Sequence, residues 1–155
     1  MALIDRAAFY WEVVASAFVG QGRSFAQVSS YAEAGVQRYR IEAVLDERTT
    51  HICRFLHGKT FAVADALRKF EQVERLEQPE DIKRLLPWVR ERLDGERLTL
   101  HGAGVPVADV ARSALGRRDD VGEFRPYVAE ERLGDAGLGF PPFHGLCRSS
   151  TLAAV

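Results

Sequence analysis

The sequence has little of what marks several large classes of protein. Its 155 residues include only two cysteines, and its net charge is −1. Two cysteines cannot build a disulfide-dense scaffold, and a near-neutral chain has no overall field that attracts nucleic acid or acidic lipid. No run approaches the roughly 20 apolar residues that span a bilayer, so no membrane partner is expected. Charged residues interrupt the first twenty positions, which favours an amphipathic helix over a signal peptide and predicts a cytoplasmic location.

The short motifs of common enzymes are missing as well. The chain has no P-loop, no G-x-S-x-G elbow, no H-E-x-x-H pair and no dinucleotide fingerprint. It also lacks the paired C-x2-C pattern that marks a strong zinc site. What is present is ordinary globular composition, with 46% hydrophobic and 28% charged residues. A single domain over residues 1–155 is therefore predicted.

Apolar spacings of three and four residues predict most of the helices. The glycines of GQGR (20–23) are expected to end the first helix, and Ser24 is expected to cap the second, which stops at Gly35. Pro87 should kink or split a later, charged helix. The predicted helices cover 4–19, 25–35, 50–57, 64–76, 79–94 and 106–115.

One stretch alternates in the manner of a strand. In RYRIEAVLDE (38–47), every second side chain is apolar or aromatic, which predicts a strand over 38–46. Weaker strand patterns occur at 59–63, 98–102 and 147–155. The fold class that follows is α+β, with N-terminal helices and a small antiparallel sheet built from 38–46 and the C-terminal strand. The middle, 64–133, is predicted to be a mostly helical elaboration of this domain.

Two distant segments are dense in residues that carry chemistry. DERTTHICRFLHGKTF (46–61) and FPPFHGLCRS (140–149) together hold both cysteines and three of the four histidines. On a helix, Cys53 and His57 share one face, and His144-x2-Cys147 has the compact spacing of metal ligands. These four residues predict a tetrahedral zinc site, with His51 competing with His57 for the fourth position. The alternative is that the cysteines are plain buried thiols.

The charged residues of the two segments allow a second connection. Asp46 follows the predicted strand, and either Arg48 or Arg148 is expected to form a buried ion pair with it or to face water. The Pro141-Pro142 pair holds its loop extended and presents His144 in a fixed place. The two segments are predicted to form one site, because neither half could satisfy its buried polar groups alone.

Taken together, the two segments resemble the phage head-morphogenesis family, the Mu F-like minor capsid proteins. The first segment follows that family's D-x-R-T, Cys, L-x-G-x-x-F pattern, and the second follows its P-P-x-H-x-x-C-R pattern. The resemblance covers 5–62 and 138–152, and the chain departs from it at Thr50 and Ser149, where many members have cysteine. The motif residues that it implies are Asp46, Arg48, Thr49, Cys53, Gly58, Pro142, His144, Cys147 and Arg148.

The resemblance implies a structural role in virion assembly, through contacts with other proteins such as capsid, portal or effector-system components. The protein would then be cytoplasmic or bound to a particle, with 64–133 as its partner-specific part. Packaged DNA is a second kind of partner, which the charge of the chain does little to support. The alternative is a toxin-type or hydrolytic enzyme that uses the Asp, Arg and His cluster, with or without zinc.

Overall fold

The computed structural model describes residues 8–78 and 81–155, with the side chains of residues 8–14 and of Lys83 left aside. Its helices are α1 (Ala8–Glu33), α2 (His51–Leu56), α3 (Val63–Glu74) and α4 (Ile82–Leu85), with a 3-10 helix over Glu130–Ala136. Its strands are β1 (Arg38–Glu42), β2 (Thr60–Ala62), β3 (Arg90–Asp94), β4 (Arg97–Gly102), β5 (Val105–Arg112), β6 (Glu123–Pro126) and β7 (Ser150–Ala154). Helices combined with antiparallel strands confirm the α+β class.

The first sheet brings the two ends of the motif-bearing chain together. Its strand order is β2-β1-β7, and both pairs are antiparallel, as predicted for the C-terminal strand. The alternation of β1 turns Tyr39 and Ile41 into the core, where both are fully buried. Glu42, the last residue of β1, pairs with Ser150, the first residue of β7. The segment after β1 and the segment before β7 therefore meet at the same end of the sheet.

In the second sheet, whose strand order is β3-β4-β5-β6, β4 confirms the strand predicted at 98–102, whereas β3 and β5 lie where helices were predicted. The helix over 79–94 is wrong for its described part, 81–94, because α4 ends at Leu85 and a strand follows Pro87. A proline inside the pattern removes a backbone donor and favours this break. Gly95, with φ +61, then turns the chain tightly from β3 into β4. Gly95 is the first residue of the two-residue turn between Asp94 and Arg97. A glycine at this position is a hairpin signal, and here it outweighs the helical spacing of the apolar residues.

The helix predicted over 106–115 is also wrong, because β5 occupies Val105–Arg112. Ala103 and Gly104 both have positive φ, 52° and 78°, and join β4 to β5 by a two-residue turn. Such turns match the twist of paired strands. The valines of the segment also favour a strand, because β-branched side chains pack well on a pleated sheet.

At the N-terminus, one continuous helix, α1, replaces the two that were predicted; positions 4–7 of the first fall outside the described residues. Gly20 lies inside α1, where a Cβ would stand 3.5 Å from the ring of Pro142. Ser24, expected as a cap, is buried and donates a hydrogen bond of 2.6 Å to the carbonyl of Pro141. Packing against the Pro-Pro loop thus offsets the weak helix propensity of this stretch. The stop at Gly35 is confirmed by its φ of +74°.

A single hydrophobic cluster joins the two sheets. It contains Ile41 of β1, Leu56 of α2, Leu100 of β4, Val107 of β5 and Leu133 of the 3-10 helix. The middle of the chain therefore contributes to the same core as the motif-bearing ends. Among the described residues, no helix has both the length and the apolar character required to cross a membrane.

Candidate functional site

The segment after β1 folds into a turn organised by its own polar side chains. Thr49 is buried, and its hydroxyl accepts a hydrogen bond of 3.0 Å from the backbone N–H of Asp46 and donates to the carbonyl of Val44. The carboxylate of Asp46 accepts the backbone N–H of Arg48 at 2.9 Å. Short polar side chains commonly bond the backbone in this way. The D-x-R-T sequence thus fixes the direction in which the Asp46 carboxylate points.

Arg148 reaches this carboxylate from the other segment. Its two terminal nitrogens donate to the two oxygens of Asp46 at 2.6 Å each, across 102 residues of sequence. The hydrogen bonds from Arg148 hold the pKa of Asp46 well below its ordinary value. Of the two arginines considered, Arg148 makes the pair, while the side chain of Arg48 is exposed. The expectation of a buried pair is wrong, since the side chains are 38% and 18% exposed.

Next to this ion pair, one histidine and both cysteines form a compact cluster. The sulfur of Cys53 lies 3.8 Å from the sulfur of Cys147 and 3.2 Å from Nε2 of His144. All three ligand atoms lie within 4.8 Å of one another. Cys53 is placed by α2, and the other two residues by the loop before β7. The structure therefore brings Cys53, His144 and Cys147 together, as the one-site prediction requires.

The two thiols do not ionise independently. The pKa of Cys147 is lowered, mainly because Cys53 donates a hydrogen bond to its sulfur, with His144 as a further donor. The same contact with Cys147, followed by burial, raises the pKa of Cys53. The pair therefore loses its first proton readily and holds the second strongly.

His144 is oriented by the backbone of its own loop. Its Nδ1 lies 2.6 Å from the carbonyl of Gly145, which can only accept, so Nδ1 carries a proton. Nε2 then faces the Cys53 sulfur and, at 3.1 Å, the hydroxyl of Thr50. Burial alone lowers the pKa of His144, but hydrogen bonding to Cys147 and the charge of that residue outweigh it and raise the pKa.

The other two histidines of the first segment lie outside the cluster. His57 is the C-cap of α2 and donates its N–H to the Cys53 carbonyl, but its Nδ1 accepts the backbone N–H of Ala43 at 3.1 Å. His51 is buried and bonds Glu91 at 2.9 Å and Ser113 at 2.8 Å. The structure therefore does not bring His57 or His51 together with Cys53, His144 and Cys147. Both residues instead connect α2 to neighbouring strands and loops.

The remaining motif residues shape the backbone around the site. Gly58 has a φ of +79° and donates its N–H to the carbonyl of Ile41 at 2.8 Å, closing the chain back onto β1. Pro142 follows a cis peptide bond and packs against Gly20 of α1. These contacts place the loop that carries His144 against both α1 and the first sheet.

The sequence interpretation missed Arg54, which is only 2% exposed. Its guanidinium donates to four backbone carbonyls, at 3.0 Å to Thr49, 2.6 Å to Asp46 and 2.9 Å to Arg117, and to Asp120. Arg54 thereby links the Asp46 turn to the 113–122 segment between β5 and β6. A lone arginine in the otherwise apolar run HICRFL was the available signal, because a buried charge needs partners.

The cavity at the motif residues is very small. It measures about 30 Å³ and is lined by residues that include Thr50, Cys53, His144 and Ser149. A larger cleft of about 360 Å³ lies elsewhere, between Arg38, Arg68 and Asp135. None of the motif residues lines this larger cleft in the described part of the chain. The cavity beside the cluster is therefore large enough for an ion or one water molecule.

Comparison with known proteins adds no identification. No protein-family model, curated protein or solved structure matches this chain.

Proposed function

We propose that this chain is an assembly module similar to the C-terminal domain of phage minor head proteins, acting by protein–protein contact in a head-like particle or a domesticated derivative. The resemblance of the two motifs suggests the role. The observation that carries it is the use of the motif groups: Asp46, Arg148, Cys53 and His144 bond across about a hundred residues and fasten the C-terminal strand to β1. Motif residues that bond to one another in this way stabilise the fold of the module, and other proteins then bind that module.

An enzyme is the second candidate. The observation in its favour is the Cys147–His144 contact together with the lowered pKa of Cys147, since a thiolate beside an imidazole is a nucleophile. The cavity of about 30 Å³ at these residues weighs against it. Ligand sites commonly measure about 300 Å³ or more. We therefore favour assembly over a toxin-type or hydrolytic activity at this cluster.

The partner surface that we propose lies in the middle of the chain, at β3. This strand forms one edge of the second sheet, and all five of its residues are exposed. An edge strand offers unpaired backbone donors and acceptors to a further strand. Leu93 adds an apolar side chain that is 72% exposed, and Arg90 and Arg92 add positive charge.

Sedimentation of the intact chain in lysates of its source cells tests the proposal. We expect the tagged protein to migrate with capsid-sized particles on a sucrose gradient, and electron microscopy of those fractions should show head-like objects. Variants Cys147→Ala and His144→Ala that remain folded should still sediment with the particles. The proposal fails if the folded wild type stays at the top of the gradient while particles form. An enzyme would instead be indicated by cellular toxicity that disappears in the Cys147→Ala variant.

A further inference from the structure

The three ligand atoms of the Cys53, His144 and Cys147 cluster have nearly the spacing of a zinc coordination shell. With zinc–sulfur bonds of about 2.3 Å and zinc–nitrogen bonds of about 2.0–2.1 Å, tetrahedral angles put two sulfurs about 3.8 Å apart and a sulfur about 3.6 Å from a nitrogen. The sulfur–sulfur distance here is 3.8 Å, and the Cys53 sulfur lies 3.2 Å from Nε2 of His144. A shift of a few tenths of an ångström would complete the geometry.

The imidazole is already oriented as a ligand. Nδ1 of His144 donates to the Gly145 carbonyl at 2.6 Å, so release of the proton from Nε2 directs the lone pair of that atom toward the sulfurs. A metal-bound histidine commonly donates its other ring N–H to a carbonyl or carboxylate in this way. Between His144 and Cys147, Leu146 has a φ of +58°, which turns the chain so that both side chains face Cys53.

A separate observation concerns the fourth position. The hydroxyl of Ser149 is buried next to the Cys53 sulfur and makes no hydrogen bond of good geometry among the described residues, which is unusual for a buried polar atom. Ser149 lines the same cavity of about 30 Å³ as Thr50, Cys53 and His144. That volume suits one water molecule. The site therefore offers three protein ligands and a hydroxyl that can hold a fourth, solvent-derived ligand.

We propose that Cys53, His144 and Cys147 bind one zinc-class divalent ion, with a water in the fourth position that hydrogen-bonds to Ser149. Each thiol releases its proton to solvent as it becomes a thiolate ligand. Two sulfurs and one nitrogen select zinc or cobalt over magnesium or calcium, which prefer oxygen. The ion links α2 to the loop before β7. The proposal is independent of the assembly role.

Cobalt titration of the reduced, chelator-treated protein tests this site. We expect one equivalent of Co²⁺ to produce thiolate-to-cobalt charge-transfer absorption and the intense visible bands of a tetrahedral complex, and Zn²⁺ to remove both. Cys53→Ser, Cys147→Ser and His144→Gln should each weaken cobalt binding by about 100-fold or more, beyond the effect of altering a supporting residue. The matched control is His101→Gln, on β4, which should bind like the wild type.

Wild-type protein supplies a second measurement if a cysteine variant fails to fold. Mass spectrometry should show that Zn²⁺ slows alkylation of both Cys53 and Cys147 by about tenfold or more, an effect that buried thiolate ligands produce and Mg²⁺ does not. The proposal is overturned if reduced wild type shows no charge-transfer band with Co²⁺. It is overturned equally if the band persists in folded Cys147→Ser, or if Zn²⁺ leaves both alkylation rates unchanged.

Discussion

At the scale of single residues, we expect the largest loss of stability when the buried Arg54 is replaced. Replacing Arg54 with Met would leave carbonyls of four residues without their donor in a buried site. We expect a loss of about 3–5 kcal/mol in the free energy of unfolding, measured by urea denaturation. Arg54→Lys should also be strongly destabilised, because an ammonium cannot span the same acceptors. Arg92→Met, at an exposed position on β3, is the control; equal losses in the two variants would contradict this role.

The Asp46–Arg148 pair should reveal itself through pH. The pKa of Asp46 is lowered in the fold, chiefly by the hydrogen bonds from Arg148. Its contribution to stability is therefore complete above the unfolded-state pKa of about 3.9 and is lost as pH falls toward the folded value. We expect Asp46→Asn to unfold at lower urea than the wild type at pH 7, and the difference to narrow below about pH 4.

A second variant isolates the partner of that carboxylate. The difference in stability between Arg148→Gln and the wild type should narrow over the same acidic range. The double variant should be destabilised by less than the sum of the losses in the two single variants. Urea midpoints measured from pH 7 to pH 3 decide the matter. Curves that remain parallel down to pH 3 would show that the ion pair contributes nothing to the folded state.

Single residues also show which parts of the candidate site could be predicted from the sequence and which could not. Cys53, His144, Cys147 and the Asp46–Arg148 pair were predicted to meet, because their side chains require partners, and the loop before β7 brings the second segment to the first. His57 was misplaced because its Nδ1 accepts the backbone N–H of Ala43, a contact that helical spacing does not reveal. Helix ends are set by tertiary contacts that local spacing does not contain.

At the scale of elements, the predicted secondary structure failed where periodicity and turn chemistry disagreed. The segments 81–94 and 106–115 have helical spacings, but the turns at Gly95 and at Ala103-Gly104 pair 90–94 and 105–112 as strands. The opposite happened in α1, where Gly20 and Gly22 did not interrupt the helix, since Gly20 faces the ring of Pro142. In each case the deciding contact joins residues distant in the sequence, which a local pattern cannot record.

The 113–122 segment between β5 and β6 gives an element-scale test with a matched pair of glycines. Gly116 and Gly122 have φ of +75° and +80°, so alanine at either position strains the backbone. A Cβ on Gly122 would also stand 2.6 Å from the carbonyl oxygen of Arg112, whereas one on Gly116 meets nothing within 4 Å. We expect Gly116→Ala to cost about 1 kcal/mol and Gly122→Ala about 1–3 kcal/mol more, by thermal or urea unfolding. Equal losses of stability in the two variants would mean that the backbone of the 113–122 segment shifts away from the added Cβ at no energetic cost.

At the scale of the whole molecule, the two sheets differ in their contacts and in their exposure to solvent. The first sheet and the motif segments satisfy one another's polar groups, while the second sheet shares their core and leaves β3 exposed at its edge. This division supports the proposal that the ends form the framework and that part of 64–133 makes the partner contact.

Charge reversal on β3 should then separate association from stability. Arg90 and Arg92 are two residues apart on one strand, so they face the same side. We expect the double variant Arg90→Glu/Arg92→Glu to lower co-sedimentation with particles by about tenfold or more, because like charges placed against a complementary surface repel. Its free energy of unfolding should stay within about 0.5 kcal/mol of the wild type, as is usual for exposed positions.

The matched control for that variant is Arg23→Glu, an exposed charge reversal on α1 in the framework part of the chain. It should sediment with particles as the wild type does. If Arg23→Glu impairs co-sedimentation as strongly as the β3 variant, the loss reflects overall charge and not a binding edge. If the β3 variant unfolds early, these arginines stabilise the sheet itself. Only a β3 variant that folds normally and loses the particle supports an edge that other proteins bind.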